Sequence, residues 1–117
     1  MKHKGQKGHA ASILDFSFQE GETTDKNSLL VKGAFLDTSV DFDFVHYILY
    51  YGTKNLESCK QKCFTEEGCQ YFIFNILRGY CPLYSLDNVE VDTFLQAFKP
   101  SSLESGMINR GPMFDKI

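Results

Sequence analysis

The stretch NLESCKQKCFTEEGCQYFIFNILRGYCPLYS, Asn55 to Ser85, holds all four cysteines of the chain and decides its fold. Cys59 and Cys63 are four residues apart, the spacing that puts two side chains on one face of a helix. Asn55 is suited to cap that helix, because its side-chain oxygen can accept from a free backbone N–H of the first turn. Glu57 falls in the first turn, where a carboxylate suits the helix dipole. The helix is predicted over Leu56 to about Phe64, with Leu56, Cys59 and Cys63 inward and Glu57, Lys60, Gln61 and Lys62 outward. Thr65 to Gly68 ends it, with Gly68 as a left-handed cap or turn residue.

Cys69 opens an aromatic run, Tyr71-Phe72-Ile73-Phe74, and Cys81 lies in a second apolar run, Tyr80 to Tyr84. Both read as strands, over Cys69–Ile76 and Tyr80–Tyr84. They form a hairpin through Leu77-Arg78-Gly79, with the turn near Arg78-Gly79. A helix carrying two cysteines, followed by two strands carrying one each, is an arrangement for stapling a helix onto a sheet.

Upstream, Ile13 to Phe18 alternates apolar and polar residues as a half-buried strand does. Gln19 to Ser28 reads as a polar loop around Gly21. Leu29 to Leu36 is a second predicted strand, with Gly33 marking a bulge or close backbone approach, and Asp37 to Asp41 a turn. Phe42 to Tyr51, rich in aromatic and β-branched residues, is predicted to be the central strand, and Gly52-Thr53-Lys54 breaks it. Downstream, Asp87 to Asp92 reads as an acidic loop or edge strand. Phe94 to Phe98 reads as a closing strand that Pro100 ends. The domain organisation predicted is a flexible arm or cloning remnant over 1–11, one domain over 12–100 with its core in 42–99, and a partly ordered tail over 101–117.

At 117 residues the chain is long enough for one domain with one core. A hydrophobic content of 43% argues against disorder over most of it. No stretch approaches the about 18 uncharged apolar residues of a membrane helix; the longest candidate, Phe44 to Tyr51, contains His46. Lys2, Lys4 and Lys7 lie in an arm that has no acidic residue. The remainder therefore carries nine Lys and Arg against fifteen Asp and Glu, a net −6. A body that acidic is poorly suited to nonspecific nucleic-acid binding. The arm lacks the apolar segment of a secretory signal peptide, although a leader removed before residue 1 would leave no trace.

Four clustered cysteines serve either as disulfides or as zinc ligands. Structural zinc sites bring ligands in two tight pairs. Cys59 and Cys63 fit one pair, but eleven residues separate Cys69 from Cys81, which favours disulfides. No Cys-x-x-Cys redox motif is present. His46 lies among strand aromatics without evident catalytic partners, and no nucleophile-elbow, phosphate-loop or metalloprotease motif occurs. Asp41/Asp43 and Glu66/Glu67 read as solvated turn carboxylates. The six tyrosines, Tyr47, Tyr50, Tyr51, Tyr71, Tyr80 and Tyr84, suit either sheet packing or a contact surface for sugars or proteins.

The pattern Asn55-Leu-Glu-Ser-Cys59-x3-Cys63-x5-Cys69-x-Tyr71-x2-Phe74, followed by Cys81-x-Leu83-x-Ser85, resembles the PAN/apple module. The resemblance covers about thirty residues and implies an α+β fold: a small antiparallel sheet with one helix packed across it, stapled by two disulfides. Spacing alone allows three pairings; the resemblance implies Cys59 with Cys81 and Cys63 with Cys69. With no cysteine before 59 or after 81, the chain is similar to the shorter four-cysteine PAN type, not the six-cysteine apple type. The segment before the helix does not match the family's usual opening, so Ile13–Phe18 is a candidate to lie outside the module.

The family binds proteins in some members and carbohydrates in others. The resemblance therefore implies a non-enzymatic, secreted or cell-surface adhesion module without a cofactor. Its partner would be a protein or glycan ligand on a cell surface or in matrix. A heparin-type ligand is disfavoured by the acidic body. Candidate contacts are Tyr80 and Tyr84, with Arg78 at the hairpin tip and Lys60 and Lys62 on the helix. The alternatives are a structural subunit whose arm and tail order on a partner, and a small zinc domain.

Overall fold

The computed structural model describes residues 17–20, 28–109 and 113–114. Six strands form one antiparallel sheet: β1 (Ser17–Glu20), β2 (Ser28–Leu36), β3 (Val45–Gly52), β4 (Tyr71–Phe74), β5 (Tyr80–Leu86) and β6 (Phe98–Ile108). Their spatial order is β1-β2-β6-β4-β5-β3. Helix α1 spans Leu56–Thr65 and helix α2 spans Val91–Gln96.

Each face of the sheet carries its own buried cluster. On one face α1 packs over Phe72, Phe74, Leu83 and Ile108, together with the four cysteines. On the other, α2 and the 37–44 connection cover Leu29, Val31, Leu36, Tyr71 and Met107. Val31 and Ala34 both reach this second cluster although three positions apart. The register slips between Lys32 and Ala34, where Gly33 takes φ +86°, a conformation that glycine adopts without steric cost.

Helix α1 starts as its sequence dictates. The Ser58 N–H donates to the Asn55 side-chain oxygen at 2.9 Å, and Glu57 sits in the first turn. The helix ends ahead of Gly68, whose φ is +81°. Cys59 is bonded to Cys81 and Cys63 to Cys69, with Cα–Cα separations of 5.8 and 5.2 Å. This is the pairing that the family resemblance implies. With all four sulfurs bonded to one another, the zinc reading has no thiolate ligands.

Several expectations need correction. The Phe42–Tyr51 run supplies an edge strand, not the central one. Phe42 and Phe44 precede β3 in a turn, where Phe44 folds against Phe94 with ring centroids 6.2 Å apart. A tyrosine can keep its hydroxyl in water while its ring packs, so a run that looks fully buried is stable at an edge.

The closing strand expected over Phe94–Phe98 is helical as far as Gln96, and the strand that follows, β6, starts only at Phe98. Val91, Phe94, Leu95 and Phe98 recur at the 3-4-7 spacing of a helix face, and Phe94 and Leu95 are buried. Pro100 does not end the sheet. The chain continues in β6 through Ile108, so residues 101–108 of the tail expected over 101–117 are strand. Proline is accommodated because β6 at Pro100 pairs only with β2, contact with β4 starting at Glu104.

Gln19, Glu20 and Ser28, expected in a loop, are in strands β1 and β2. Ile13–Phe16 and the loop around Gly21 lie outside the described residues, as do the N-terminal arm and residues 110–112 and 115–117 of the expected tail.

Candidate functional site

The face of β3 and β5 that turns away from α1 carries the tyrosines. Tyr47 and Tyr50 are three positions apart and would point to opposite faces of a regular strand. The β3–β5 register slips between Tyr47 and Leu49, and the extra residue brings both to the same face. Tyr50 then lies 5.1 Å from Tyr47 and 5.1 Å from Tyr80, between ring centroids. Tyr47 lies 6.0 Å from Tyr84, which lies 6.0 Å from Tyr71. Five tyrosines therefore run from the open sheet edge into the core. Tyr47 and Tyr50 are 55% and 62% exposed, Tyr80 is half-buried, and Tyr84 and Tyr71 are buried.

The inner two are held by the fold. The Leu36 N–H donates to the Tyr71 hydroxyl at 2.9 Å, and burial pushes the Tyr71 phenol well above its ordinary value. Burial, with some help from Tyr50, pushes the Tyr84 phenol up to about 12. Both shifts favour the neutral phenol in the folded chain. Their stabilisation is fully present below the ordinary value near 10 and is lost as pH rises from there toward 12. An alkaline titration should therefore show tyrosinate absorbance from Tyr71 and Tyr84 appearing last, together with a falling unfolding midpoint. Replacement of Tyr84 by phenylalanine should flatten that fall, and an unchanged profile would contradict the assignment.

Beside Tyr84 and Tyr47 opens a half-open cavity of about 300 Å³, walled by the 37–42 turn. A shallower one of about 560 Å³ adjoins it, sharing Asp41 and Phe42 and reaching Asp87 and Asn88. Asp37 accepts from the Ser39 hydroxyl and faces Lys99 at 3.2 Å. The Ser39 bond, with Lys99 behind it, holds the Asp37 carboxyl below the usual carboxylate range. His46 contacts Asp87 at 2.8 Å, with both side chains more than half exposed. Ser85 stands opposite His46 in the β3–β5 ladder. Among the described residues no hydrogen bond ties its hydroxyl to the ring, so the three are not aligned as a nucleophile–base–orienter set.

The residues singled out in the sequence are thereby separated. Tyr80 belongs to the exposed end of the tyrosine series, and Tyr84 to its buried part and the cavity wall. Arg78 is exposed at the hairpin tip, where its N–H donates to the Asn75 side-chain oxygen at 3.0 Å. Ile76 and Leu77 are exposed beside it. Lys60 and Lys62 lie on α1, against the opposite face. Lys60, expected on the outer side of the helix, is 5% exposed, its ammonium 3.4 Å from Glu57. Lys62 is 3.4 Å from Glu66 and lies over the Tyr51 ring.

The sequence places Tyr47 and Tyr50 among six tyrosines suited to packing or to a contact surface but does not single them out as contacts, because a one-residue bulge inside a strand leaves no glycine or proline to announce that both share a face. The signal for the cavity turn, Phe42 and Phe44 flanking Asp43, was absorbed into the strand.

A family model for the PAN domain matches residues 31–106, from within β2 to within β6. β1 precedes the matched residues. No curated protein and no solved structure matches the chain.

Proposed function

The chain belongs to the PAN domain family, and from that premise we propose that it is a non-enzymatic binding module working outside the cell, secreted or surface-displayed, that recognises a protein or carbohydrate ligand. PAN domains are interaction modules for both classes of ligand. An extracellular site is supported by the two disulfides, which persist in oxidising surroundings.

One observation supports this choice of contact surface: Tyr47 and Tyr50 stand exposed on the edge strand β3, with the half-buried Tyr80 of β5 against Tyr50. Tyrosine rings offer broad, rigid contact with a polar tip and few rotatable bonds, which suits both sugar stacking and protein anchoring. Arg78 and the exposed Leu77 extend the surface at the hairpin tip. Tyr84 supports it from behind. Lys60 and Lys62, on the opposite face, are not assigned to it.

The experiment is a screen of disulfide-verified protein on a glycan array and on displayed extracellular proteins, repeated with Tyr50→Ala and Tyr80→Ala. Loss of an anchoring aromatic should weaken a detected ligand about tenfold or more. If both variants keep wild-type binding, the surface is misplaced.

The reading as a structural subunit with an ordering tail loses the part of its motive that lay in residues 101–108, which form a strand inside the sheet.

A further inference from the structure

Two cations of this chain occupy the same kind of place. The Lys99 ammonium lies 5.4 Å from the centre of the Phe35 ring and 3.2 Å from the Asp37 carboxylate. The Lys62 ammonium lies 5.6 Å from the centre of the Tyr51 ring and 3.4 Å from the Glu66 carboxylate. In each, the ring face attracts the cation through its quadrupole while the carboxylate neutralises it.

A third such pairing stands without a cation of its own. The cavity of about 300 Å³ has Phe42, Tyr47 and Tyr84 in its walls and the exposed Asp41 at its edge. None of the described residues lining it is basic. Asp37 also borders it but is engaged by Ser39 and Lys99. Asp41 carries no such tether among the described residues, and the adjoining cavity adds Asp43 on the same side.

We propose that this cavity receives the guanidinium of an arginine presented by a protein partner. Arginine is favoured over lysine because its planar, weakly hydrated group stacks on aromatic faces while keeping donors for a carboxylate. The proposal rests on the reading of the chain as a binding module and narrows it to protein partners with an exposed arginine. Sulfated or sialylated glycans would meet the carboxylates of Asp41 and Asp43 and be repelled.

The test uses the full chain, a short arginine–glycine peptide and its citrulline counterpart, which has the same shape without the charge. In an NMR titration, resonances of Phe42, Tyr47 and Tyr84 should shift with the arginine peptide, and the effect should fade with salt. Asp41→Asn should weaken binding about threefold to tenfold, with the unfolding midpoint unchanged because Asp41 is exposed. Equal binding of the citrulline peptide, shifts confined to another face, or no shift at millimolar peptide would each overturn the proposal. So would displacement of the peptide by a neutral hexose, which would mark the cavity as a sugar site. Lys62→Ala, on the opposite face, should leave this titration intact, and the separate screen with Tyr80→Ala reads the wider tyrosine surface, so failure of that surface and failure of the cavity are separately visible.

Discussion

Replacing Cys59 and Cys81 together by alanine is expected to cost about 3 kcal/mol, from the loop-closure entropy returned to the unfolded chain. The two residues are 22 positions apart in sequence, whereas Cys63 and Cys69 are six apart. By the same reasoning, removal of the shorter link costs about 2 kcal/mol. Either loss is large beside the roughly 5–15 kcal/mol stability of a small domain. Both sulfurs of the longer link are fully buried with Phe72, Leu83 and Ile108 around them. Cys63 and Cys69 are equally buried, so either alanine pair also leaves a small void, and loop length alone sets the order of the two variants. Urea denaturation of the two double variants measures the order directly. A Cys63/Cys69 variant that is the less stable of the two would show that loop entropy does not govern how α1 is held.

Gly106→Ala is expected to destabilise by about 1–3 kcal/mol through overpacking, and Gly106→Val by more. Gly106 is buried in β6, opposite Leu30 of β2 and Phe72 of β4. A Cβ there would lie 2.6 Å from Phe72 Cζ and 2.8 Å from the Leu29 carbonyl oxygen. The first contact is with a ring end that can be trimmed, and the second is with a neighbouring strand's backbone. Phe72→Leu in the Gly106→Ala background should therefore recover part of the loss and not all of it, a coupling that a double-mutant cycle reads out. Full tolerance of alanine by the thermal midpoint would mean that the β2–β6–β4 packing is looser than these distances require.

The same glycine explains why the last strand was hard to read. The segment Ser101 to Gly106 has one apolar residue in six, so no alternation announces a strand. Its place in the sheet comes from what it meets: Phe72 covers Gly106, and the Ser105 hydroxyl donates to the Ala34 carbonyl at 3.3 Å. Backbone pairing and neighbours' side chains supply what its own side chains do not. β3 shows the opposite case. VHYILYY carries β-branched and aromatic residues throughout, a pattern that does not distinguish an edge from a centre, because propensity reports fit to a pleated surface and not the number of neighbours. For α2 the information was present, since Val91, Phe94, Leu95 and Phe98 keep helical spacing, but a six-residue helix offers too few turns for the period to stand out.

What the sequence determined by itself was local. Asn55, Glu57, Cys59, Cys63 and Gly68 define the start, inner face and end of α1 through contacts within a few residues, and the same stretch carries the family pattern. Tertiary structure decided the rest. It placed β6 between β2 and β4, moved β3 to the rim, and turned Tyr47 and Tyr50 to one side through the register slip at Ile48. Strand order and register depend on partners distant in sequence, and a one-residue slip reverses which side chains meet solvent. The candidate binding surface is a product of that slip, which is why its chemistry could be read from the tyrosines but its position could not.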